Sequence, residues 1–197
     1  MLDVSWEDVM TDNIPVISRT QLRLARAVVK SVDSLIYTTL SAGAGATVTI
    51  GETNENDRCW DSTTRSARHP MDSIGLGMEK LWTKNYEPDT LVVSPKDYRL
   101  LMTNDDVLDA FSPTENLGKN GNVGKVLGLN IVVSNVVTAD QALVMESRTA
   151  ATYRVAEDMR TVTIPVDGIK YTIRAWEIGV PFVTDPGAIC KIANTNL

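Results

Sequence analysis

The chain has 197 residues, 43% of them apolar and 22% charged, with a formal net charge of -6. A chain of that length buries roughly 70% of the surface its unfolded form exposes, which argues against disorder and for one sizeable core or two small domains. The acidic balance argues against a dedicated nucleic-acid reader, which needs a basic stripe to neutralise several phosphates.

The opening residues Met1-Leu2-Asp3-Val4-Ser5-Trp6-Glu7-Asp8 have neither a basic start nor an apolar stretch, so they do not read as a secretory signal. The first strong element is a helix over residues 16–40. Leu22, Ala25, Val29, Val32, Ile36 and Leu40 recur at steps of three and four and form one apolar stripe, which places Leu22, Val29 and Ile36 in the core. Arg19, Arg23, Arg26, Lys30 and Ser34 take the other side. Pro15 suits a first helical turn and Asn13 a cap. Ser41-Ala42-Gly43-Ala44-Gly45 ends the helix, because glycines favour backbone conformations a helix does not continue. About 25 residues at 1.5 Å each span roughly 37 Å, so the helix reads as a spine across the subunit.

A short strand follows at 46–50, and then a polar stretch at 51–70 with Trp60 as its main apolar residue. Asp72 is expected to cap a second helix with Ile74, Met78, Leu81 and Trp82 on one face. Gly75 and Gly77 each weaken it by about 1 kcal/mol relative to alanine, which points to close packing there. Residues 90–93 form a buried strand leading into Ser94-Pro95-Lys96-Asp97, where serine caps, proline fills the first turn and Asp97 completes a capping-box-like arrangement. Tyr98, Leu101 and Met102 supply the apolar face of that helix, and a shorter one runs from 104 or 105 to 111. After a glycine and asparagine loop at 118–124 come strands at 130–134 and 141–146, a helical turn at 149–153, and a hairpin of 162–165 with 170–177 about Asp167-Gly168. Strands at 182–184 and 188–192 close the chain. Helices and strands mix without strict alternation, which favours α+β.

The residues carry little reaction chemistry. His69 is the one histidine, and nothing in the sequence positions a partner for it. Gly124-Lys125 fails as a phosphate loop, with Lys119 where the first glycine belongs and Val126 in place of serine or threonine. Gly43-Ala44-Gly45 fails as a dinucleotide fingerprint, since Val48 takes the third glycine position. Glu52, Glu55, Asp57 and Asp61 miss the glycine and final glutamate of a calcium loop. No metal, cofactor or catalytic set is therefore expected. Cys59 and Cys190 lack CxxC spacing, so reduced thiols are the default, and no run is long and apolar enough to span a membrane. The face Arg19, Arg23, Arg26 and Lys30 is either a solvated helix side or a surface for a polyanion or an acidic patch of a neighbouring copy.

Four features in order resemble tailed-phage major capsid proteins of the Hong Kong 97 type: the spine helix, the strand entering Ser94-Pro95-Lys96-Asp97-Tyr98, the segment Gly128-Leu129-Asn130-Ile131-Val132-Val133-Ser134-Asn135, and the close through Trp176-Glu177-Ile178-Gly179-Val180-Pro181 to Asp185-Pro186-Gly187-Ala188. The resemblance covers about residues 14–192. It implies an N-terminal segment at 1–13, a peripheral domain made of the spine helix (14–45) and the closing hairpin and strands (147–197), and an axial domain at 46–146. It further implies a shell protein, assembling in the host cytoplasm into pentamers and hexamers of an icosahedral virion capsid around double-stranded DNA, with scaffolding, portal or decoration proteins as further partners. Arg19, Arg23, Arg26 and Lys30 would face the DNA. Asn116, Lys119, Asn120 and Asn122, in the loop 113–124, would meet other copies at the capsomer axis. Members usually carry an N-terminal arm and an extended loop before the spine helix, and only about thirteen residues precede it here, so a core fragment or short form is expected. An encapsulin-like compartment is the alternative, and a small hydrolase using His69 a remote one.

Overall fold

The computed structural model describes residues 1–11, 15–51, 59–62, 68–104, 107, 125–166 and 168–196. The chain forms two compact units, one of Met1–Ile36 with Tyr153–Pro181, the other of Tyr37–Thr152 with Phe182–Leu197.

In the first unit, β1 (Leu2–Ser5) pairs antiparallel with β8 (Lys170–Val183), Leu2 opposite Ile173 and Ser5 opposite Lys170. β8 in turn lies beside β7 (Ala151–Val166), giving a three-stranded sheet. The hairpin turns where Ile169 N–H donates to the Val166 carbonyl at 3.1 Å, with Gly168 at φ +65°, a conformation side chains rarely take. Both strands are much longer than the alternation indicates. Along β7 most residues on both faces are exposed, so polar and apolar residues mix and the two-residue period is lost. Trp6, in the short helix α1 (Trp6–Thr11), stacks on Tyr171 with ring centroids 5.5 Å apart. Val4, Leu24 and Ile173 form the buried core, flanked by Val9, Val16, Ile17 and Ala175.

The long helix is α2 (Val16–Ala42). Its expected face is wrong in part: Leu22 is 52% exposed and Val29 46%, and Ile36 is half-buried. Within the first unit the helix buries Leu24, with Ile17, Gln21, Val28 and Val32 half-buried; within the second it buries Tyr37 and Leu40. At 3.6 residues per turn these two sets do not share a side. A single stripe drawn through both falls between them, which is why it misassigns Leu22 and Val29.

The second unit is built on a six-stranded mixed sheet in the order β2-β9-β6-β3-β5-β4. Its strands are β2 (Ala46–Thr49), β3 (Thr90–Val93), β4 (Lys125–Val126), β5 (Leu129–Val133), β6 (Gln141–Met145) and β9 (Ile189–Ala193). β2 runs parallel to β9 and β3 parallel to β5, whereas β6 is antiparallel to both β3 and β9. The closing strand β9 therefore belongs with this sheet, and residues 147–197 divide between the units instead of forming one block. Leu91, Val93, Ala142, Val144, Cys190 and Ile192 join Ile74, Leu81, Leu101 and Trp60 in one core. Cys59 and Cys190 are free thiols.

Helix α3 (Pro70–Trp82) starts two residues before Asp72, because Pro70 occupies the first turn; its cap residue is His69, whose side chain makes no capping bond. Ile74, Met78 and Leu81 are buried as expected, but Trp82 is 55% exposed. A Cβ on Gly77 would meet Val144 and Ile192 at ordinary contact distances of 3.4 to 3.7 Å, and one on Gly75 nothing within 4 Å. Gly43 and Gly45 do not take left-handed backbone angles. They are required by close approach: a Cβ on Gly43 would overlap Val183, and one on Gly45 the Pro186 carbonyl, which accepts the Gly45 N–H at 2.8 Å.

Candidate functional surfaces and a buried carboxylate

On α2, Arg19, Arg23, Arg26 and Lys30 recur at steps of four, three and four and are all exposed, so the structure does bring the four cations onto one face. Leu22 lies three residues after Arg19 and Val29 three after Arg26, and both are exposed, so the face mixes guanidinium and aliphatic groups. Asn116, Lys119, Asn120 and Asn122 lie outside the described residues, as do Asn13 and most of the short helix expected up to 111. His69 sits exposed at the start of α3. Among the described residues no group of three or more His, Cys, Asp and Glu side chains is placed to hold a metal ion, and no helix is long and apolar enough to cross a membrane.

The sheet unit carries two polar corners. At one, burial pushes the Asp89 carboxyl up, but bonds from Ser147, together with Thr90 and the Asp89 backbone, outweigh it and hold the group below the usual aspartate value. Ser147 N donates to Asp89 Oδ1 at 2.8 Å and its Oγ to Oδ2 at 2.7 Å. Nearby, the Tyr86 hydroxyl donates to Asp185 Oδ2 at 2.7 Å, which together with burial raises the tyrosine pKa, while Gly187 N–H donates to Asp185 Oδ1 at 2.9 Å.

The other corner is Asp97, on helix α4 (Pro95–Met102). Ser94 caps that helix as expected, its Oγ accepting the Asp97 N–H at 3.1 Å. The Asp97 carboxylate, expected to complete a capping box, points into the protein and is 0% exposed. Its Oδ2 accepts from Ser94 Oγ at 2.8 Å, and its Oδ1 accepts from Asn196 Nδ2 at 2.8 Å and Thr195 Oγ1 at 3.4 Å. Burial raises the carboxyl pKa, and these three donors, with the charge of Lys96, lower it by less than burial raises it. The partners sit about a hundred positions down the chain, at a separation no local pattern signals.

A family model described as "Phage capsid protein" matches residues 1–192. The chain belongs to the phage capsid protein family. No curated protein sequence matches this capsid-family chain. Among solved structures it resembles the capsid of cyanophage P-SCSP1u, with a TM-score of 0.71 and 15% identity over 100% of this chain and 71% of that one. It resembles a protein of Mycobacterium phage Che8 at a TM-score of 0.72 and 19% identity, over 100% and 70% of the two chains. An encapsulin complex from Synechococcus elongatus matches at 0.63 and 14% identity, over 98% and 71%. The Hong Kong 97-like α+β fold inferred from the segment order is thus the fold of this capsid protein, whose structural role is that of a self-associating shell subunit of the virion.

Proposed function

We propose that copies of this chain assemble in the host cytoplasm into pentamers and hexamers, which tile an icosahedral head around double-stranded DNA. The family match over residues 1–192 carries the reading, because it spans both units. Head-to-tail contacts between identical chains close into rings, the geometry capsomers need. In this reading the first unit, the ribbon unit with the long β7–β8 hairpin, is the peripheral domain, and the second, the sheet unit with the six-stranded sheet, is the axial one. The loop with Asn116, Lys119, Asn120 and Asn122 meets other copies at the capsomer axis. Arg19, Arg23, Arg26 and Lys30 offer sequence-independent contact to phosphates. Scaffolding, portal and decoration proteins complete the partners, and no residue is assigned a catalytic role, His69 included. Electron microscopy of the natural gene product tests the proposal: closed shells holding nuclease-protected DNA are expected. Shells filled with a cargo enzyme favour the encapsulin reading, and monomers under shell-forming conditions overturn both.

A further inference from the structure

Asp97 presents a problem that shell geometry does not answer. An ionised carboxylate taken out of water is strongly unfavourable unless paired with a cation. Lys96, beside it in sequence, points to Asp61 instead, at 2.7 Å. Arg68, the described cation at the same turn, donates from Nε to the Ser62 carbonyl at 2.7 Å, and two acids lie close by. Asp61 belongs to the turn at 59–62, and Asp140 lends its backbone carbonyl to Thr195 N–H at 3.2 Å. Burial first, and then the charges of Asp61 and Asp140, push the neighbouring Cys59 thiol pKa up, so the local field already opposes negative charge. Asn196, only 6% exposed, keeps its Oδ1 buried with no hydrogen-bond partner among the described residues. Among the described residues the corner therefore combines a buried acid that no cation bonds, Lys96 acting on it only through its field, and an acceptor without a donor. One proton on the acid removes the charge.

We propose that Asp97, Asn196 and Thr195 form a proton-operated clasp on the C-terminal segment, which tightens when the Asp97 carboxyl is protonated and loosens when it ionises. The clasp acts where the segment leaves the sheet. Ala193 is the last residue of β9, paired with Thr49 of β2 and Gln141 of β6. Two residues on, the Thr195 carbonyl accepts the Trp60 N–H at 2.7 Å. Loosening the clasp thus frees the end of β9 and the turn at Trp60 together. The sign follows from the raised carboxyl pKa. The folded state binds the proton more tightly than the unfolded chain, so the hold is strongest below the ordinary aspartate value and declines as pH rises through the raised folded one. The clasp is a property of the subunit and does not rest on the shell reading.

A carbon-detected NMR titration of the Asp97 carboxyl in the full chain, with hydrogen-exchange protection of the Trp60 and Thr195 amides followed over the same pH range, tests this. The carboxyl should titrate above the ordinary aspartate value of about 3.9, and protection should rise on acidification by up to about tenfold per unit of that displacement. Asp97→Asn, which carries no charge, should keep acid-level protection at every pH. Asn196→Ala removes a donor to the ionised form and should move the Asp97 midpoint higher, a readout that stands even if Asp97→Asn does not fold. A midpoint at or below the ordinary value, protection that is flat with pH in the wild type, or a midpoint unmoved by Asn196→Ala overturns the clasp.

Discussion

The sheet unit encloses Leu91, Val93, Leu101, Leu129, Val144 and Ile192 within its own chain, whereas among the described residues the ribbon unit has a core of Val4, Leu24 and Ile173 and leaves Val155, Met159, Val162, Ile164, Ile178 and Val180 exposed. Both have regular secondary structure. What separates them is how far the apolar groups are covered: in the sheet unit they meet one another across the sheet and two helices, while along the hairpin many stay 39–62% exposed. Exposed apolar groups in such number mark surfaces that other molecules cover, and in the shell reading those molecules are further copies. The ribbon unit's own stability therefore rests on few side chains, and its sequence is freer at the subunit level than its strand length implies.

The largest effect that tests this contrast is truncation in the sheet core. Leu91→Ala, at a fully buried position, should destabilise the isolated subunit by about 2–5 kcal/mol in urea unfolding, whereas Ile178→Ala on the ribbon should change it by no more than about 0.5 kcal/mol. Equal losses would erase the distinction. Next in size is a position where the ribbon does pack tightly: a Cβ on Gly179 would collide with the Tyr153 ring, whose hydroxyl donates to Glu177 Oε1 at 2.7 Å. Gly179→Ala should displace the ring and cost about 1 kcal/mol from the lost bond, and a Tyr153→Ala background should remove most of that penalty in a double-mutant cycle.

Acid titration sharpens the contrast further. In the ribbon unit Asp3 is held below its usual value by Lys170 Nζ at 2.7 Å and Thr172 Oγ1 at 2.8 Å, and it is exposed. In the sheet unit the half-buried Asp89 is held low by Ser147, a neutral partner. Both folded values lie below the unfolded ones, so each contribution is present above the ordinary aspartate value and is lost as pH falls through the depressed one. Ser147→Ala removes the hydroxyl bond and keeps the backbone one, so it should lessen that acid loss, and do so equally at low and high salt. Lys170→Met should flatten it only at low salt, because an exposed ion pair is screened. Salt-independent behaviour of the Lys170 variant would contradict the exposed placement of Asp3.

The segments legible along the chain are those whose physics is local. Ser94-Pro95 starts a helix by capping and fixed φ, residues 90–93 form a buried strand because all four are enclosed, and Gly168 turns the hairpin with a positive φ. What the sequence hides is set by pairing at long range. β9 joins β2 and β6 rather than its neighbour in the chain, so residues 147–197 cannot be kept in one domain by reading along them. Gly45 reads as a helix stop, yet it is there because the backbone of Pro186 lies against it. The cationic face of α2 is legible from its spacing, since four cations at helical steps need no tertiary contact to coincide. Asp97 reads as part of a capping box, yet its carboxylate is buried against Thr195 and Asn196, which reach it only in the folded unit.

The smallest expected effect is the one that separates the two readings of α2. A single stripe through Leu22, Val29 and Ile36 places Val29 in the core, where an aspartate would be an unpaired buried charge and would destabilise by several kcal/mol. The structure leaves Val29 46% exposed, between Arg26 and Lys30 in sequence. There a carboxylate stays hydrated and lies three residues from Arg26, a spacing at which opposite charges attract weakly. Val29→Asp should therefore shift the isolated subunit's stability by no more than about 0.5 kcal/mol, measured as a change in the urea midpoint at constant slope. A loss of several kcal/mol would return Val29 to a core and overturn the side on which the ribbon unit holds this helix. A subunit that folds as well as the wild type but no longer forms shells would show that the exposed face of α2 matters only between chains.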